Sequence, residues 1–282
     1  MRSSNPVMNS IGNSAMQQTQ AGYQNAPGAQ GYPGAQGYQG YPGMGGYQQQ
    51  PVATERPMTI DDVVAKTGIT LAVIIAFAAV NYFVGLGNPG LAMILTLVGA
   101  IGGFITVLIS SFGKKYGSAA VTLIYAVFEG LFVGGFSLMF TNFTVGGSSG
   151  AAMIGQAILA TIGVFIGMLF VYKTGAIRVT PKFTRILVGA IFGVAIMALG
   201  NLLLAIFTDA NPLRDGGMLA IIFSLVCIVL AAMSFLLDFD TADRLIRAGA
   251  PSKYAWGVAL GLAVTLVWLY TEILRLLSYF RD

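Results

Sequence analysis

Histidine is missing from this 282-residue chain, cysteine occurs once, and only 9% of residues are charged. Without an imidazole there is no Ser-His triad, no HExxH zinc site and no histidine pH switch. A single thiol, Cys227, forms neither an internal disulfide nor a thiolate cluster. A soluble domain carries about 25% charged residues, so this chain cannot clothe an ordinary water-facing surface. Its 56% hydrophobic content and mean hydropathy of +0.75 place it in a membrane. The formal charge of +4 is too small and too dispersed to suggest nucleic acid as a partner.

What is present divides into two regions. Residues 1–57 contain no Leu, Phe or Trp and are rich in Gln, Gly, Tyr, Pro and Ser. Such a stretch has too little apolar surface to offset its ordering entropy, and it reads as a disordered low-complexity tail. Glycine recurs every third residue from Gly28 to Gly46, formally a collagen period. The run is short, however, with tyrosine in many intervening positions and few prolines, which favours a Tyr/Gln/Gly tail over a triple helix. No apolar run follows Arg2, so the start is not a signal peptide.

Residues 58–282 hold seven apolar stretches, at about 63–86, 90–112, 118–141, 151–172, 184–207, 217–237 and 254–279. Each is long enough to cross a hydrocarbon core of about 30 Å as a helix. The expected fold is an all-α integral membrane protein, a seven-transmembrane-helix bundle whose consecutive helices are antiparallel neighbours. Thr59 with Asp62 resembles a capping box, and Thr180-Pro181 places a cap before a first-turn proline. Twelve basic residues fall on the side of the N-terminus and three on the other, Arg214, Arg275 and Arg281. The positive-inside rule then puts the tail in the cytoplasm and the C-terminus outside the cell membrane. A re-entrant last segment, with the C-terminus back in the cytoplasm, is the alternative. GxxxG pairs at Gly99/Gly103, Gly130/Gly134, Gly163/Gly167, Gly189/Gly193 and Gly257/Gly261 point to close helix packing.

Ionisable residues inside a membrane are costly and mark function by default. Glu129 lies near the middle of the third segment. Glu272 and Arg275 lie three apart in the last, on one helical face, where a mutual ion pair is the plain reading. Asp238, Asp240 and Asp243 fall where the sixth segment meets the cytoplasm, beside Arg244 and Arg247. A solvated helix end is the plain reading there, and a buried, protonated carboxyl is the plain reading of Glu129. Carboxylates in low dielectric bind a proton or a hard cation through the same oxygens, so the two compete.

MTIDDVVAKTGITL, FEGLFVGGFS, TGAIRVTPKF, FLLDFDTADRLI and VTLVWLYTEILRLL are the segments by which residues 58–281 resemble the Bax inhibitor one/YccA family, in its bacterial, actinobacterial-type branch. The tail lies outside the resemblance. The family implies seven helices with the last one central and enclosed by the other six, and a pH-sensitive calcium leak gated by an aspartate pair on the last two helices. By motif position Asp240 is the first acid of that pair and Glu272 the second, together a possible calcium site with Arg275 as counter-charge. Asp238 competes for the first place, and Glu129 is a possible replacement for either member. The second acid is Glu where the family has Asp, and if the last helix ran straight from Tyr254, Glu272 would lie roughly 27 Å along it, far from a cytoplasmic Asp240. Three functions fit: a proton-controlled calcium leak, a non-conducting regulator that binds a membrane protease or another membrane protein, and a proton-coupled small-solute transporter. No enzymatic site and no cofactor are expected, calcium entering only as a transported ion.

Overall fold

The computed structural model describes residues 56–113, 115–140, 150–208 and 210–280. The expected tail and its glycine repeat fall on residues outside this set, except at 56 and 57. Among the described residues, seven helices are each long and apolar enough to cross a membrane, and there is no strand. The helices are α1 Ile60–Gly87, α2 Pro89–Phe112, α3 Ala119–Met139, α4 Gly150–Thr174, α5 Pro181–Thr208, α6 Met218–Arg247 and α7 Ala255–Tyr279, the last preceded by a 3₁₀ turn at Ser252–Tyr254.

Helix ends follow their local chemistry. The Asp62 amide donates to Thr59 Oγ1 at 3.3 Å and the Thr59 amide to Asp62 Oδ2 at 3.0 Å, a reciprocal capping box that opens α1. Arg56 grips the same carboxylate with both guanidinium arms at 2.6 and 3.0 Å. Thr180 Oγ1 accepts from the Phe183 amide at 3.2 Å ahead of Pro181. α6 closes on Gly249, whose φ of +63° permits paired bonds from Gly249 to Ile246 and from Ala250 to Leu245. The turn then bonds the chain entering α1, Met58 N to Ala250 O at 2.8 Å and Ser252 N to Arg56 O at 3.0 Å. Lys66 Nζ donates to Ser252 O from α1.

α6 departs from expectation by continuing ten residues past 237, so that Asp238, Asp240 and Asp243 sit within the helix instead of at its end. Hydropathy drops at Asp238 while the helix persists, because Asp240–Arg244 and Asp243–Arg247 pair at i,i+4 spacing along its surface.

α7 is the central element. In its most apolar 18-residue window 83% of residues are buried, against 6% for α5. It is an unbroken helix, long and apolar enough to cross a membrane. Thr122 Oγ1 donates to Trp256 O at 3.0 Å and Ser137 meets Tyr270 at 2.7 Å, offsets of 134 and 133 residues that set α3 and α7 parallel over their whole length. The expectation that six helices enclose α7 needs correcting. α1, α3, α4 and α6 pack against it, while α2 lies on α1 and α3, and α5 lies on α6. Nor are consecutive helices always neighbours, since α4 packs mainly on α7 and α6, and neither α3 nor α5 is a substantial neighbour of it.

Glycine decides which helices approach closely. A Cβ on Gly130 would stand 2.6 Å from Ile74 O of α1, and one on Gly99 of α2 would stand 2.6 Å from Phe132 N of α3. Asn81 Nδ2 locks the same three helices, donating to Leu131 O at 2.6 Å and to Thr96 Oγ1 at 3.0 Å. By contrast, a Cβ on Gly163, Gly167, Gly189 or Gly193 would meet nothing within 4 Å, so two of the five GxxxG pairs form no contact. Without a hydrophobic drive in lipid, a helix lacking close backbone contact or polar partners stays peripheral, as α5 does. Gly130→Val should therefore lower stability by roughly 1–3 kcal/mol through overpacking at the α1–α3 contact. Gly163→Ala should change it by less than about 0.5 kcal/mol. Thermal unfolding of the detergent-solubilised protein measures both, and equal effects would contradict this division.

Candidate functional site

α7 presents Gly257, Gly261 and Thr265 at four-residue spacing, a single column along its buried side. Asp238 of α6 leans onto this column. Its Oδ2 accepts a hydrogen bond from Thr265 Oγ1 at 2.7 Å, and its Oδ1 lies so that a Cβ on Gly261 would be 3.6 Å away. That is an ordinary contact distance, so the carboxylate rests against the Gly261 backbone without needing glycine there. One turn earlier, Gly257 is needed to seat the Tyr116 ring, since a Cβ there would meet Tyr116 Cζ at 2.6 Å. Tyr116 belongs to the α2–α3 connection and also packs on Tyr254, ring centroids 5.9 Å apart. Burial, and then the nearby Asp238 charge, push its hydroxyl above the usual tyrosine range. Gly117, with φ +88°, fits against Tyr254 and the Lys253 carbonyl and so turns Tyr116 over the end of the column.

The two acids assigned by motif position are not brought together. Asp240, half-buried on another side of α6, is tied to the exposed Arg244. Glu272 lies seven residues beyond Thr265, about 10 Å further along α7. There Arg275 Nη1 spans its two oxygens at 3.0 and 3.1 Å, and Ser224 Oγ of α6 donates at 3.3 Å. Both members of this pair are buried. Arg214, in the α5–α6 connection, stands close enough that burial and then the Arg275 charge lower its pKa. The ion pair expected of Glu272 and Arg275 is thus present, and the Asp240–Glu272 pair is not.

Glu129 is half-buried and faces α2, where a Cβ on Gly103 would lie 2.9 Å from its Oε2. Tyr125, one turn before it, hydrogen bonds its carboxylate. The α3–α7 offset puts Glu129 level with Ala263, at the depth of Asp238, yet it points to α2, which does not flank α7. Among the described residues neither Asp238 nor Glu129 forms an ion pair, and no three acidic or thiol groups converge on one point.

Sequence reasoning weighed Asp238 without choosing it, and passed over Thr265, Ser224 and Tyr116. The four-residue extension of Gly257/Gly261 to Thr265 was a usable signal for the first of these. Nothing in the sequence distinguished Tyr116 from other interfacial tyrosines.

These surroundings separate the acids energetically. Glu272→Gln strands a buried guanidinium and should cost about 3–5 kcal/mol, whereas Asp240→Asn removes a surface pair worth about 1 kcal/mol at most. Thermal unfolding of the two variants tests the ranking, and an equal loss would contradict it.

No curated protein matches this chain. A family model described as Bax inhibitor 1 like matches residues 5–282, so the match takes in most of the tail that the motif comparison left out. With that match over nearly the whole length and a seven-helix architecture of membrane-spanning segments, the chain belongs to the Bax inhibitor 1 like family.

Proposed function

We propose that this multi-pass membrane protein is a cation leak, with calcium as the transported ion and protonation of Asp238 as its control. The observation that carries the reading is a carboxylate without a cationic partner, held inside the bundle against the central helix by Thr265. Its oxygens suit a hard cation or a proton, and only one of them at a time. Asp240 and Glu272, each neutralised by an arginine, are structural in this reading. Tyr116 covers the approach to Asp238 from the end where α1 begins. Glu129 is a second uncompensated acid at the same depth, separated from the column by α3 itself.

The basic residues support a cell-membrane protein with a cytoplasmic N-terminus and an external C-terminus. Arg56, Lys66, Lys115, Arg178, Arg244 and Arg247 lie at the bundle end where α1 begins, while Arg214 and Arg275 lie at the other. The role is conductive and not enzymatic.

Protein reconstituted into vesicles containing a calcium-sensitive dye should admit calcium at a rate that varies with pH. Asp238→Asn should flatten that pH profile. Asp240→Asn should retain it, because its carboxylate faces Arg244. Absence of flux at every pH, with native helix content by circular dichroism, would overturn the leak and favour a non-conducting regulator of a membrane protease or another membrane protein. A profile flattened by Glu129→Gln and not by Asp238→Asn would move the site to the α2–α3 interface.

A further inference from the structure

α1 and α4 both pack on α7 without forming a substantial contact with each other. The gap between them is a lateral groove of about 540 Å³, with α3 and α7 as its floor. Its walls run from Leu71 to Tyr82 on α1 and from Ala151 to Ile162 on α4. We propose that this groove binds one acyl chain of a bilayer lipid.

Three observations identify the occupant. First, the wall from Leu71 to Tyr82 covers eleven residue steps, or about 16 Å of helix, which matches the roughly 15 Å of hydrocarbon in one leaflet. Second, the hydroxyls of Ser137, Tyr270 and Thr161 already use their protons within the bundle: Ser137 Oγ donates to Val133 O and meets Tyr270 Oη, and Thr161 Oγ1 donates to Ala157 O. The deep part of the groove thus offers a polar solute no unused donor from these three groups, whereas an alkyl chain needs none. Third, the mouth opens between two membrane-spanning helices whose rims, Ile75 and Ile158, are exposed, so the bilayer itself supplies the ligand. Tyr82 stands at the α1 end of the groove nearest the helix terminus, the interfacial position favoured by tyrosine. The lipid therefore comes from the leaflet opposite the end where α1 begins, with its tail running inward along α1 to Leu71.

The floor includes Leu266, Val267 and Tyr270 of α7, which lie between Thr265 and Glu272. A seated chain thus touches the central helix at the stretch joining its two polar contacts.

The test uses the full chain in phosphatidylcholine vesicles doped with a phosphatidylcholine that carries a mid-chain diazirine. After photolysis, peptide mass spectrometry maps the labelled residues. Residues lining the groove, such as Ile75, Ile158 and Ile162, should be labelled several-fold more heavily than Phe192 and Ile196, which face outward on α5. Ala79→Trp and Ile158→Trp, from opposite walls, should each reduce groove labelling several-fold while leaving α5 labelling unchanged. Equal labelling of groove and α5 would mean ordinary annular lipid and overturn the proposal. Labelling insensitive to both variants would overturn it too.

Discussion

Helix association within hydrocarbon gains nothing from hiding apolar side chains, so this bundle depends on where backbones can touch and where polar groups can pair. α7 meets both conditions on several sides. Gly257 admits the Tyr116 ring, while Thr265 and Tyr270 supply hydrogen bonds to α6 and α3. α1, α2 and α3 meet the same conditions through Gly99, Gly130, Gly134 and Asn81. α5 offers three glycines that touch nothing, and it remains at the edge with Phe192 and Ile196 turned outward. The same rule explains the open groove between α1 and α4, since no glycine or polar pair draws those helices together.

The scarcity of charge gives the remaining acids distinct meanings. Glu272 is compensated by Arg275 and Asp240 by Arg244. Among the described residues, Asp238 and Glu129 have hydroxyl partners, Thr265 and Tyr125, and no ion pair. In the proposed reading, these two carboxylates are the ones that could exchange a cation for a proton. Of the two, Asp238 lies against the central helix, and the functional proposal rests on this difference.

Much of the fold was legible in the sequence because length and hydropathy alone determine whether a helix can span. The capping box at Thr59 and the proline start of α5 were legible for the same reason, being local. The extension of α6 was not, because a drop in hydropathy at Asp238 looks identical whether the helix ends or continues with paired surface charges. Nor could GxxxG spacing reveal which pairs touch, since contact depends on the partner helix and not on the spacing. For the site, motif position selected Asp240, whereas the helical phase of two residues turns Asp238 to α7 and Asp240 to Arg244. The distance of roughly 27 Å along a straight α7 assumed that Asp240 sits at the helix end. With α6 extended to Arg247, Asp238 reaches Thr265 and Asp240 is paired with Arg244, so Glu272 is kept apart by the stretch of α7 beyond Thr265 and by that pairing.

The central claim is that α6 and α7 meet through Asp238 and Thr265. With Cys227 replaced by serine, oxidative cross-linking of paired cysteines in the membrane-embedded protein tests it directly. A disulfide between cysteines placed at 238 and 265, with none between cysteines placed at 240 and 272, is the expected result. Efficient cross-linking of 240 to 272, with none between 238 and 265, would contradict the account and restore the pairing inferred from motif position.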